Sequence, residues 1–379
     1  MLSSQRHLFD IPDDIAYLNC AYMSPLMKPV VETGNTGLAR KLHPWEITPA
    51  RFFSGAEEFR TTAAHLLDAP PDCVAIVSSA SYGVATAALN LPVAKGQKIL
   101  VLDEQFPSNY YPWRRLTESR GGTLKTVPWP EDGDWTTAVL NELTGDIAIA
   151  ALPNVHWTSG GRLDLVRIGV ACRKQGTALS LDLTQSLGAL PFSVREVQPD
   201  FAVAANYKWL MGPYTTGLLY VAAKWHGGMS LEENWIVRAG AQDFASLILY
   251  TDKYDEGARR FDMGERSNFA LLPAATHAMK QLMAWGVDEI SATSGALNRQ
   301  LSAQAQELGF SSPPEALRAP HYLCLRRDGG TPPGLPEILA RQKVFVSVRG
   351  SSVRVTPHVY NSQEDVERLI ACLRQISAS

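Results

Sequence analysis

Cysteine is scarce and scattered in this chain: Cys20, Cys73, Cys172, Cys324 and Cys372 are the only five in 379 residues, and no two lie close together. That spacing excludes a dense disulfide framework and the paired ligands of a zinc site, and leaves reduced, mostly buried thiols as the expectation. A metal centre is not expected. Charge of one sign is also lacking, since a formal net charge of −3 offers no general attraction to nucleic acid or to an anionic membrane surface. No apolar run reaches membrane-spanning length, and the opening MLSSQRHLFDIPDDIAYL carries acids and a proline where a secretory signal needs an apolar stretch. The expected location is therefore the cytoplasm. The sequence has no internal repeat, no low-complexity segment and no GxGxxG after a predicted strand, so the usual dinucleotide-binding fingerprint is missing.

What is present is ordinary globular material in quantity. Hydrophobic residues at 45% and charged residues at 19% support a large core, and the length is more than one core comfortably serves. Short apolar runs that end in polar or glycine-containing turns recur: CVAIVSS, KILVLDE, DIAIAALPN, TALSLDLTQ and DFAVAANYK. Helix-compatible segments lie between several of them, which predicts an α/β domain whose largely parallel sheet has helices on both faces. Ligands bind beyond the carboxyl ends of such strands, where Ser79, Asp103, Asn154, Asp182 and Lys208 fall. After about Asp255 the pattern changes to a long helical stretch from Leu271 to about Leu308. Strand-like HYLCLRR and VFVSVRGSSVRVT follow, and a closing helix begins at Ser362, a plausible N-cap followed by acids. The boundaries expected are an N-terminal segment over 1–20 near the small domain and the site, a large domain over 21–260 and a small α+β domain over 261–379.

The strongest signal is SLDLTQSLGALPFSV followed by DFAVAANYKWLMGPYTTGLLYV, with Gln185 three and Lys208 twenty-six residues after Asp182. These segments resemble the class V aminotransferases of fold type I, a family that includes cysteine desulfurases, kynureninases and isopenicillin N epimerase-like proteins. The resemblance runs from YLNCAYMSPL to VRVTPHVYNSQEDV. It implies a fold type I transferase with a seven-stranded type of sheet, a pyridoxal 5′-phosphate cofactor, an amino-acid substrate and a homodimer with composite sites.

The chemistry explains the residue types. A lysine amine carries the pyridoxal aldehyde as a Schiff base, and an ionised carboxylate keeps the pyridine nitrogen protonated so that the ring withdraws electrons from the substrate α-carbon. The resemblance assigns these roles to Lys208 and Asp182, and gives Gln185 a hydrogen bond to the cofactor's phenolic oxygen. VSSASYGVATAALN reads as a turn into a helix whose free amides favour an anion, with Ala80 and Ser81 on the phosphate. Tyr207 resembles the tyrosine of kynureninase-like members that reaches the phosphate. Phe106 occupies the position of a ring stacked on the pyridine. In ALPNVHWTSGGRLDL, Asn154 and His156 are both candidates for a cofactor contact, and spacing does not choose between them.

Arg354 matches the arginine that holds the substrate carboxylate, a task suited to a planar guanidinium fork. Asn19 resembles an asparagine that adds a contact to the same group. Gly264 and Ser267, in RFDMGERSNF, fall where the family sends a loop to the partner subunit's phosphate. One departure matters. Cysteine desulfurases carry a nucleophilic cysteine shortly before the carboxylate-binding arginine, and VFVSVRGSSVRVT has none, which argues against a standard cysteine desulfurase. FPSN and the Tyr-Lys pair keep a kynureninase-like carbon-carbon lyase, a carbon-sulfur lyase or an epimerase as alternatives to transamination.

Overall fold

The computed structural model describes residues 1–378. A two-residue strand β1 (Ala16–Tyr17) and helices α1 (Lys28–Ala39) and α2 (Arg51–Leu67) lead into the main sheet. There follow β2 (Val74–Val77), α3 (Ala80–Asn90), β3 (Lys98–Leu102), α4 (Tyr111–Arg120), β4 (Thr123–Val127), α5 (Trp135–Glu142) and β5 (Ile147–Pro153). Then come α6 (Leu165–Gln175), β6 (Ala178–Asp182), α7 (Val194–Val197), β7 (Phe201–Ala205) and β8 (Gly217–Val221). Seven strands lie in the order β2-β8-β7-β6-β5-β3-β4. All run parallel except β8, which is antiparallel to both β2 and β7.

The apolar runs are buried on both faces because successive side chains of a strand point to opposite sides. Ile76, Leu100, Ala150, Leu181, Ala204 and Leu218 join one core with residues of α2, α6 and the later helix Leu271–Trp285. Their neighbours Val77, Val101, Ile149, Val203 and Leu219 join a second core with Val84 and Ala87 of α3 and Trp113 of α4. Helix α3 lies unusually close to the sheet. A Cβ at Gly83 would stand 2.5 Å from Val203 Cγ2, so only glycine lets the first turns of α3 settle against the middle of β7. That contact brings the 79–81 turn to the same rim as the segment after β7.

The C-terminal part consists of α8 (Leu271–Trp285), α9 (Val287–Glu307), β9 (Phe310–Ser311), β10 (Leu323–Arg327), α10 (Leu335–Arg341), β11 (Val344–Phe345), β12 (Ser347–Arg349), β13 (Ser352–Val355) and α11 (Gln363–Ala378). The helical stretch expected from Leu271 to Leu308 is two helices, broken at Gly286, whose φ of +80° no other residue type adopts without strain. β12, β13, β10 and β9 form a four-stranded sheet, and β1 pairs in parallel with β11. A separate core joins Leu325, Val353 and Leu369 to Ala16 and Leu18 from the N-terminal segment. The packing divides later than residue 261: Phe261 and the apolar face of α8 belong to the cores of the large sheet, and α9 enters the small core only at Leu301. A hydrophobic helix read by itself does not reveal which core it serves. No helix among the described residues is long and apolar enough to cross a membrane.

Candidate active site

A cavity of about 300 Å³ opens at the carboxyl ends of the parallel strands. Eight of the residues singled out in the sequence line it: Ser79, Ala80, Ser81, Phe106, Asp182, Gln185, Tyr207 and Lys208. Each follows from strand placement. Asp182 is the last residue of β6, and Tyr207 and Lys208 follow the end of β7. Phe106 follows β3, and Ala80 opens α3 after β2.

Lys208 is 6% exposed and forms no ion pair among the described residues. Its Nζ lies 5.4 Å from the ring centroids of both Phe106 and Tyr207. Burial lowers its pKa to about 8, opposed by Asp182, which favours the charged form, and assisted by the positive charges of Arg354 and Arg349. The amine is thus partly neutral near physiological pH. Asp182 is 8% exposed, accepts from the Thr184 amide at 2.9 Å and has no ion-pair partner among the described residues. Burial raises its pKa, against the Thr184 hydrogen bonds and the charge of Lys208. A buried carboxylate without a cation beside it is a costly arrangement that a cationic ring nitrogen would relieve.

At the start of α3, Ser79 caps the helix by accepting from Tyr82 N at 3.1 Å, and its hydroxyl lies 2.9 Å from that of Ser81. The amides of Ala80 and Ser81, in the helix's first turn, have no carbonyl four residues back to receive them and suit an anion. Tyr207 packs against Tyr214 at 4.6 Å between centroids, and burial pushes its phenol up to about 12, so it stays protonated and able to donate. Gln185 Nε2 donates to Ala21 O at 3.2 Å and its Oε1 accepts from Trp209 Nε1 at 2.9 Å. These groups fit pyridoxal 5′-phosphate: an amine, an unpaired carboxylate, an aromatic face and a helix N-terminus around one cavity.

Other expected residues lie elsewhere. Neither Asn154 nor His156 lines the cavity. Asn154 Nδ2 donates to Leu163 O at 3.3 Å, and His156 stacks on Trp135 at 4.6 Å with Nε2 3.0 Å from Asp103 O. Burial lowers the His156 pKa to about 4, so the ring is a neutral packing element. The strand stops at Pro153, which pairs with Asp182, and in the bend and turn that follow Val155 and Trp157 line the cavity while Asn154 and His156 do not. Asp103 is exposed and accepts from the amide of Glu104.

Arg354 is 2% exposed and does not line the cavity, but its guanidinium carbon lies 5.8 Å from the ring centroid of Trp157, which does. Its Nε and Nη2 donate to Ser347 Oγ at 3.0 and 2.7 Å, and Nη1 donates to Trp157 O at 3.1 Å. Three of the five N–H groups of the guanidinium are thereby engaged within the protein. Asn19 is buried, with its Oδ1 lacking a partner, and bridges to Thr356, two residues beyond Arg354. Gly264 N donates to Glu232, and Ser267 Oγ donates to Phe52 O, so neither reaches the cavity of its own chain. Trp157, Tyr214, Thr215, Gln105, Ser108, Asn109 and Thr184 also line it. Trp157 lies in the turn after β5, where no strand periodicity marks which residue faces the cavity. For Tyr214 and Thr215 the signal was the antiparallel return of β8, which a reading of parallel units does not supply.

The mostly parallel seven-stranded sheet and this cavity define a fold type I enzyme dependent on pyridoxal 5′-phosphate. The chain belongs to the aminotransferase class-V family, whose pattern it matches over residues 40–369. It is 25% identical to a probable cysteine desulfurase of Pyrococcus abyssi over 85% of this chain and 83% of that protein. It is 30% identical to a kynureninase of Bacillus mycoides over 51% of this chain and 45% of that protein. The solved complex of a cystine C-S lyase with its product cysteine persulfide shares the fold with a TM-score of 0.84, at 18% identity over 96% of this chain and 98% of that one.

Proposed function

We propose that the protein transfers the amino group of an α-amino acid, with Lys208 as the group that holds the cofactor and then moves the α-proton. The observation that carries this reading is the meeting of an unpaired buried lysine and an unpaired buried carboxylate in one cavity. Bound pyridoxal 5′-phosphate supplies an electron-withdrawing protonated ring. The chain's own residues do the rest. Asp182 keeps a negative charge at the ring nitrogen, and Phe106 covers the ring face. Ala80, Ser81 and Tyr207 donate to the phosphate. The free amine of Lys208, with its lowered pKa, accepts a proton from the substrate α-carbon and delivers it elsewhere. Arg354, assisted by the amide of Asn19, orients the substrate carboxylate, and the Trp157 wall limits water.

All five cysteines are buried, and burial raises the pKa of each thiol. Protonated, enclosed thiols are poor sulfur acceptors, which supports a reaction other than that of the desulfurase relatives. The unpaired thiols also favour a reducing compartment, and we place the protein in the cytoplasm. A second copy of the chain covers the exposed Leu42, Trp45, Ile248, Leu249 and Tyr250 and gives Gly264 and Ser267 access to the partner's phosphate; a dimer is the mass expected from light scattering. The deciding experiment is a panel of amino acids with and without keto-acid acceptors, scored for new amino acid, keto acid, ammonia and sulfide. Acceptor-dependent amino transfer is the expected result. Acceptor-independent release of ammonia, sulfide or a cleaved side chain would instead make it a lyase.

Arg354→Ala is expected to retain cofactor affinity and lose substrate efficiency by about thirty- to thousandfold, the equivalent of roughly 2 to 4 kcal/mol for a bidentate charge-assisted contact. Arg354→Lys restores only part of it, because an ammonium lacks the planar fork. Cofactor titration and steady-state kinetics on both variants check this, and unchanged kcat/KM in the alanine variant would make Arg354 structural.

A further inference from the structure

We infer that Trp209, outside the cavity and fully buried, is the positioning residue that makes Gln185 present a hydrogen-bond donor to the cofactor. A glutamine amide can face a ligand with either its oxygen or its nitrogen, and the two orientations have opposite chemistry. Here the neighbours leave no choice. The indole N–H of Trp209 can only donate, so the atom 2.9 Å from it is the Gln185 oxygen. The carbonyl of Ala21 can only accept, so the atom 3.2 Å from it is the Gln185 nitrogen. That nitrogen has two hydrogens, and one remains. Gln185 lines the cavity, and with Oε1 drawn toward Trp209 the one hydrogen left on Nε2 is the donor its amide has to offer there.

The Trp209 indole is itself held. His321 packs edge-on against it at 4.3 Å between centroids, and the His321 Nε2 lies 2.8 Å from the main-chain oxygen of Gln185. A carbonyl acceptor requires the hydrogen on Nε2, and burial lowers the ring's pKa to about 4, so His321 keeps that neutral donor form. Gln185 is thereby fixed at its backbone by His321 and at its side chain by Trp209. The inference rests on the assignment of the cavity to pyridoxal 5′-phosphate, with its phenolic oxygen facing Gln185. An oxygen that accepts from outside holds its shared proton less tightly, so the donor lowers the pH at which the bound cofactor's visible band changes.

The test is the pH titration of that band in cofactor-loaded wild type, Trp209→Phe, Gln185→Leu and the double variant. Each single variant is expected to raise the midpoint by about one pH unit, the size of one neutral hydrogen bond, and the double variant is expected to match either single one. Should Trp209→Phe fold poorly, 3-benzothienylalanine at position 209 keeps the two-ring shape without the N–H and gives the same reading. An unmoved midpoint at position 209, or an equal shift from the Trp209 change in the Gln185→Leu background, overturns the inference alone. A wild type with no visible cofactor band overturns the assignment of the cavity and the inference together.

Discussion

Lys208→Ala is expected to lower turnover by about a thousandfold or more, while the protein keeps its fold and still takes up cofactor without a covalent link. Lys208 is enclosed at 6% exposure with aromatic rings on two sides and no ion-pair partner among the described residues, so it contributes no salt bridge that the fold would miss. Its pKa of about 8, set first by burial, makes the neutral amine roughly two-hundredfold more abundant at pH 7.5 than in an ordinary lysine. The sign follows. Cofactor uptake by the apoprotein should accelerate as pH rises through about 8 and level off above it, since only the unprotonated amine attacks the aldehyde. Lys208→Arg keeps the charge and supplies no nucleophile, so it should be as inactive as alanine. Activity in either variant within tenfold of wild type would remove Lys208 from the role.

Asp182→Asn is expected to reduce turnover by about a hundred- to thousandfold with little change in fold, because an amide of the same shape cannot hold a proton on the ring nitrogen. The structure separates this from a structural effect. Asparagine can still accept from the Thr184 amide, and the aspartate it replaces has a raised pKa because burial outweighs the Thr184 hydrogen bonds and the charge of Lys208. A group whose charged form is penalised in the folded state stabilises nothing at neutral pH, so the apoprotein of Asp182→Asn should melt no lower than wild type. A low melting temperature with normal turnover would mean that Asp182 is a strand-end residue and no more.

The sheet and its rim were legible because the apolar runs are short, end in polar residues and repeat with helices between them. Asp182 and Lys208 were legible for the same reason: each stands just where a strand stops. What escaped was a matter of facing and of distant packing. His156 looked like a ligand by type, yet it falls on the side of its segment away from Asp182 and spends its polar atoms on Asp103, Thr158 and Ser159. Trp157, one residue on, faces the cavity. Tyr214 and Thr215 reach it because β8 runs antiparallel, and the run GLLYV carries no mark of its direction. Arg354 was singled out by its motif, but only the structure shows Ser347 and the Trp157 carbonyl occupying part of its fork. Helix α8 was assigned to the small domain because it follows the change of pattern, whereas its apolar stripe packs against α1 and α2.

The central claim is that Lys208, facing Asp182 across one cavity, is the residue that carries the cofactor. Borohydride reduction of the purified, cofactor-loaded protein followed by peptide mapping tests it directly. The account predicts a stable pyridoxyl adduct on the peptide containing Asn206, Tyr207, Lys208 and Trp209, and its absence from the corresponding peptide of Lys208→Ala. An adduct on any other lysine, or cofactor that dialyses away after reduction, would contradict it.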